Sequence, residues 1–174
     1  MHSEPKYSLV MRSLHWLVFL AVTIAVAAIE ILDFFPKGSA TRAAVFMVHQ
    51  TAGLSVLALM VLRLLARWAT QAPAPVPGPL LLQRAARLTH GALYVLMVSM
   101  PILGLLALAW AGKPIQPFGL NWTLPLAQDK TWADAAKEVH ESGATFVYIF
   151  VGLHAAAALW HEFILKDRLL RRMI

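Results

Sequence analysis

The chain has 174 residues, about one ordinary domain. Hydrophobic residues make up 59% of it and charged residues only 14%, against about 25% charged in soluble globular domains, which excludes disorder and argues against a soluble fold. The net charge of +6 does not point to nucleic acid, because the basic residues fringe long apolar runs instead of forming a stripe among polar ones. With no Cys in the chain, disulfides, thiolate chemistry, cysteine-ligated iron–sulfur clusters and C-x-x-C-H haem attachment are excluded.

Four uncharged runs follow in order, at 13–29, 43–62, 88–112 and 142–161. Each reaches the roughly 17–25 apolar residues that a helix needs to cross a bilayer. The sequence therefore predicts one all-α membrane domain over 1–174, with transmembrane helices at about 13–33, 43–66, 88–111 and 139–163. The first run also has features of a secretory signal, with Lys6 and Arg12 ahead of it and Ala25-Val26-Ala27 like a cleavage site. Its length favours a retained helix. The connection holding Pro73, Pro75, Pro77 and Pro79 reads as extended and stiff. Pro101 should kink the third helix. The connection 113–137 carries Phe118, Trp122 and Trp132, residues suited to a membrane–water interface, and 132–141 reads as a short helix leading into the fourth span.

Loop charge sets the expected orientation. Lys6, Arg12, Arg63, Arg67, Arg84, Arg87, Lys166, Arg168, Arg171 and Arg172 share one side, which is ten of the fifteen Lys and Arg. That side should be cytoplasmic, with both termini on it. The opposite side holds Lys37, Arg42, Lys113, Lys130 and Lys137 against Glu30, Asp33, Asp129, Asp134, Glu138 and Glu141, a balance of −1.

The histidines carry the chemistry. His15 lies at the inner end of the first helix, His49 two turns inside the outer end of the second, and His90 at the inner end of the third; His140, His154 and His161 lie on the fourth. Ionisable groups inside a membrane are costly and mark function by default. His140 and His154 are 14 residues apart, just under four turns, so they share a face at depths roughly 21 Å apart. His49 matches the depth of His140, and His15 that of His154. Two facing imidazoles at each of two depths suit two bis-histidine haems, which favour electron transfer because both axial positions are filled. A single metal ion would need its ligands at one depth. Gly53, Gly143 and Gly152 neighbour these histidines; they either admit a flat macrocycle or pack helices together. His90 and His161 remain at the inner side, as donors to a quinone or as interfacial residues.

Several segments carry a resemblance. Lys6-Tyr7-Ser8 with Leu14-His15-Trp16-Leu17-Val18-Phe19-Leu20, then Phe34-Phe35-Pro36 leading to Met47-Val48-His49, and finally Val151-Gly152-Leu153-His154 with Ala155 to Ala158, Leu159 and His161 resemble the bacterial cytochrome b561 family, most of all its superoxide:ubiquinone oxidoreductases. The resemblance implies a four-helix bundle in the bacterial inner membrane with two haem b groups, iron-ligated by His15 with His154 and by His49 with His140. It implies ubiquinone near His90 and His161, and no catalytic side chain beyond the haem ligands. Superoxide would be oxidised to dioxygen at the periplasmic face, and two electrons with two cytoplasmic protons would reduce ubiquinone. An anion substrate calls for a positive outer face; Lys37, Arg42, Lys113 and Lys137 are the candidates for a local funnel. Related four-helix cytochromes imply an alternative role, the electron-transfer subunit linking a periplasmic hydrogenase or dehydrogenase to the quinone pool. A transporter or metal-binding bundle without redox chemistry is a third reading.

Overall fold

A computed structural model describes residues 6–74 and 78–174; His2, Pro75 and Pro77 lie outside these. Four helices carry the chain: α1 (Leu9–Ile31), α2 (Ala40–Ala69), α3 (Leu80–Trp110) and α4 (Lys130–Trp160). All four are long and apolar enough to cross a membrane, and no strand is formed among the described residues. Short 3-10 turns lie at Leu32–Phe34, Pro117–Gly119 and Leu169–Met173, and α4 passes into a π turn at His161–Leu165.

Side-chain caps explain three of the starts. Ser8 accepts from the Met11 N–H (3.3 Å), Ser39 from Arg42 (3.2 Å), and Asp129 from Thr131 and Trp132 (2.9 and 3.1 Å). All four helices begin before the positions expected from the uncharged runs. The difference is largest in α3, which takes in Arg84 and Arg87, and in α4, where 132–141 is continuous with the span and not a separate helix. Charged flanks end an uncharged run, but Lys, Arg and Glu are good helix formers. Their helical ends reach past about 30 Å of hydrocarbon into the headgroups. α3 stays helical through Pro101, which has no N–H for the Met97 carbonyl.

The helices pack as two antiparallel hairpins, α1 on α2 and α3 on α4, joined along α2 and α3. The fourth side differs: α1 and α4 scarcely approach one another. A core of Ala21, Val56, Met60, Met97 and Val147 draws on every helix. Outward faces are apolar, as with Leu20 and Ile24 on α1, Leu62 and Leu65 on α2, Val95 on α3 and Ile149 and Leu153 on α4. Such a surface is stable against lipid, where helix association rests on van der Waals packing.

Both ends of the bundle are tied. At the α1–α2 corner, Arg42 donates to the Leu32 and Phe35 carbonyls (2.7 and 3.1 Å) and to Asp33 (2.9 Å). In the connection from α3 to α4, Ile115 and Trp122 exchange backbone hydrogen bonds (2.8 and 2.9 Å). This connection docks on α2, where Gln50 accepts from the Gln116 N–H (2.6 Å) and Thr51 from the Phe118 N–H (2.9 Å). Phe118 and Trp122 are exposed there, while Trp132 packs on Trp110 (6.0 Å between rings). At the other end the last residues fold back on the start of α1. The Tyr7 N–H donates to the Arg172 carbonyl (3.1 Å), Trp16 Nε1 to the Met173 carbonyl (2.8 Å), and Arg12 to the Ile174 carbonyl.

Candidate functional site

Histidines from different helices meet at two levels. His49 on α2 faces His140 on α4 with ring centres 6.1 Å apart at 87°. His15 on α1 faces His154 on α4 with ring centres 6.0 Å apart at 73°. A metal between two imidazole nitrogens, at roughly 2 Å from each, sets the ring centres roughly 6 Å apart once the ring half-widths are added. Both pairs have this spacing. His90 on α3 also approaches His154, at 5.3 Å, a shorter separation than such a bridge needs. Thus three histidines gather at the terminal end and two at the other.

The core lies between the two levels. Val147 is seven residues from His140 and seven from His154, roughly 10 Å along the helix from each. Val56 lies seven residues after His49, and Met97 seven after His90. The apolar layer is therefore the midpoint of the bundle, with an imidazole pair above it and another below.

The His49–His140 pair is oriented by backbone carbonyls. His49 Nδ1 donates to the Ala25 carbonyl of α1 (2.9 Å), and His140 Nδ1 donates to the Met100 carbonyl of α3 (2.8 Å). A carbonyl only accepts, so each Nδ1 carries the proton and each Nε2 keeps its lone pair, the tautomer a metal-binding imidazole needs. Gly104 gives His140 room. A Cβ on Gly104 would stand 3.1 Å from His140 Cε1 and 3.3 Å from Nδ1, so any side chain here would press the ring away by a few tenths of an ångström. Neither His15 nor His154 has such a partner among the described residues.

A cavity of about 680 Å³ opens beside this pair, a size typical of small-molecule and cofactor sites. His49, His140, Gly53, Met97, Met100 and Gly104 line its interior, and Glu30, Lys113, Lys137 and Tyr148 stand among its other walls. The glycines near the histidines divide into two kinds. A Cβ at Gly53 or Gly152 would meet nothing within 4 Å, whereas one at Gly143 would stand 2.6 Å from Met100 Sδ. Gly53 thus leaves space on the cavity wall, and Gly143 serves helix packing. Donor set, tautomer, spacing and free volume together fit a flat, bis-imidazole-ligated haem.

At the terminal end, His161 opens the π turn, and its Nδ1 lies 2.5 Å from Asp167 Oδ2. Asp167 also accepts from the Leu169 N–H through Oδ1 (3.2 Å). Two residues around it, Lys166 and Arg168, take positive φ values of 55° and 59°, which folds the segment back so that the carboxylate reaches the imidazole. At the opposite end the basic residues are largely committed: Arg42 pairs with Asp33 (2.9 Å), Lys130 with Asp134 (2.5 Å) and Lys137 with Glu141 (2.9 Å).

Sequence spacing located the histidine pairs but not what orients them. Carbonyl partners belong to no residue type, and Ala25 and Met100 give no sign of the role. Gly104 had a readable signal, a glycine one turn from Met100 inside an apolar helix. Asp167, six residues after His161, was likewise open to notice as a carboxylate beside a histidine.

Comparisons with known proteins identify the family. The family model for prokaryotic cytochrome b561 matches residues 6–174. The chain is 36% identical over 162 residues to "Cytochrome b561 homolog 1" of Escherichia coli (strain K12), covering 92% of each chain. It is 36% identical over 173 residues to "Probable superoxide oxidase CybB" of Yersinia pestis, covering 97% of this chain and 96% of that one. A more distant relative, "Cytochrome b562" of Cereibacter sphaeroides, is 28% identical over 180 residues. With its four membrane-length helices and its paired internal histidines, the chain belongs to the prokaryotic cytochrome b561 family.

Proposed function

We propose that this membrane haem protein is a two-haem b cytochrome of the bacterial inner membrane that oxidises superoxide at one face and reduces ubiquinone at the other. The observation that carries the reading is the repetition of one ligand geometry, two imidazole pairs near 6 Å on either side of a shared apolar layer. In this reading His49 and His140 hold one haem, and His15 and His154 the other. Held by these imidazoles, haem would supply one-electron transfer. The protein fixes the tautomer through Ala25 and Met100 and keeps water out of the layer around Val56, Met97 and Val147.

The overall reaction balances as two superoxide anions, one ubiquinone and two protons giving two dioxygen molecules and one ubiquinol. The end carrying both termini is the cytoplasmic one, because ten of the fifteen basic residues gather there. His90 and His161 are the candidates for quinone contact at that end. His161 is the stronger: with Nδ1 on Asp167, its Nε2 is free to meet a carbonyl and pass a proton. Superoxide as donor rests on the relative in Yersinia pestis, similar over nearly the whole of both chains.

A second reading keeps the cytochrome and replaces the donor with a periplasmic hydrogenase or dehydrogenase. The charge at that end favours it, since Asp33, Asp134 and Glu141 each pair with a cation and its five basic residues are outnumbered by six acidic ones. Stopped-flow spectroscopy separates the two. Superoxide should produce a reduced b-type spectrum that a ubiquinone analogue re-oxidises. A spectrum that dithionite reduces and superoxide leaves oxidised would overturn the superoxide assignment and direct the search to a protein donor.

A further inference from the structure

The seam between α1 and α4 is the open side of the bundle, because the backbones of these two helices stay apart, with His15 and His154 meeting across it at the terminal end, while the other adjacent pairs lie closer. The cavity beside His49 and His140 reaches this seam, with Val22, Val26 and Glu30 of α1 and Ala144, Thr145 and Tyr148 of α4 among its walls. One hydrogen bond crosses it there. The Tyr148 hydroxyl donates to Glu30 Oε1 at 2.6 Å, and among the described residues no other hydrogen bond joins α1 directly to α4.

Glu30 is the last residue but one of α1, at the end of the first membrane-length segment, and it stands exposed in the cavity wall. Its position on α1 is mechanically informative. Ala25, whose carbonyl orients His49, lies five residues before Glu30 on the same helix, roughly 7.5 Å away along the axis. His140 lies eight residues before Tyr148 on α4. The bond therefore couples the helix that aims one imidazole to the helix that carries the other, across the side through which a flat group would leave.

We propose that the Tyr148–Glu30 pair is a clasp across the lateral mouth of this cavity, retaining the haem held between His49 and His140. Both are positioning residues, acting through α1 and α4. The inference rests on the reading that this cavity holds a haem.

The test is haem retention. Purified wild-type protein and the variants Tyr148→Phe, Glu30→Gln and Glu30→Ala are mixed with excess apomyoglobin as a haem scavenger, and haem transfer is followed by absorbance. His49→Ala identifies which haem belongs to the cavity. Tyr148→Phe and Glu30→Ala should each speed loss of that haem about tenfold, the upper end of the range for one hydrogen bond. The other haem is the internal control and should leave at the wild-type rate. Glu30→Gln keeps an acceptor oxygen and should stay close to wild type. Unchanged retention in Tyr148→Phe and Glu30→Ala would overturn the clasp and leave the two-haem reading standing, as would equal acceleration of both haems. A wild-type protein whose haem content His49→Ala leaves unaltered would overturn clasp and reading together.

Discussion

Gly104→Ala is a small change with a large expected effect on one site. In the structure the added Cβ stands 3.1 Å from His140 Cε1 and 3.3 Å from Nδ1. Ordinary carbon contacts lie at about 3.5–4.0 Å, so the ring must retreat by a few tenths of an ångström. The ring is also anchored: its Nδ1 donates to the Met100 carbonyl at 2.8 Å, one turn before Gly104 on the same helix. Retreat lengthens that bond and turns Nε2 away from His49. Losing a hydrogen-bond partner of a metal-binding histidine typically costs 10–100-fold in affinity. The same substitution should make α3 itself more stable, because Ala is favoured over Gly in a helix interior by about 0.8–1.0 kcal/mol. The two effects oppose, which makes the measurement decisive. Haem-to-protein ratio and the low-spin spectrum of the purified variant should show the His49/His140 haem weakened and the other unaltered, in protein that unfolds no more readily than wild type. A Gly104→Ala variant with two haems and unchanged spectra would refute the steric argument and with it the assigned orientation of His140.

The remaining predictions address the pairs, the cavity and the quinone end. His49→Ala and His140→Ala should each lose the same haem, and His15→Ala and His154→Ala the other, while His90→Ala loses none; difference spectra of the five variants check this. Gly53→Leu places a side chain where a Cβ meets nothing within 4 Å, so it should fold normally yet exclude the haem of the cavity, read as one haem per chain. Asp167→Asn removes the carboxylate from His161 and should slow re-oxidation by a ubiquinone analogue about 10²-fold, the low end for positioned acid–base catalysis, with both haems retained. A reporter fused after Ile174 should read cytoplasmic; a periplasmic reading would invert the assigned faces.

Much of the fold was legible because a membrane restricts the choices. Only helices and closed barrels satisfy their backbone in lipid, so four uncharged runs of sufficient length gave four helices. Their ends were less legible. Arg84 and Arg87 are helical, although a criterion of missing charge cannot include them, and the helix expected at 132–141 runs on into the span without a break. Histidine pairing was legible from depth, since residue number converts to height on an antiparallel bundle. What depth does not give is azimuth. It could not tell that His90 also approaches His154, that Gly53 faces space while Gly143 faces Met100, or that Glu30 crosses an open seam to Tyr148.

The charges at the cavity mouth bear directly on the electron donor. Five basic and six acidic residues on that side left room for a local positive patch, and the structure shows how they are used. Arg42, Lys130 and Lys137 each lie beside a carboxylate, Lys113 lines the cavity with no ion-pair partner among the described residues, and Glu30 accepts from Tyr148. Exposed ion pairs of this kind add little stability, but they cancel one another's field within a Debye length of about 8–10 Å. With three of its cations paired to carboxylates, and Lys37 and Lys113 set against Glu30, Asp129 and Glu138, this end has a formal balance of −1 and no net positive charge to steer a monovalent anion. If superoxide is the donor, its bimolecular rate should then change by less than about twofold as salt is raised, whereas steered association falls steeply with ionic strength. A large fall would mean that the pairs open in solution and expose a positive funnel. A flat salt profile together with a fast superoxide reaction would place the origin of the rate in access to the cavity between His49 and His140 and not in charge.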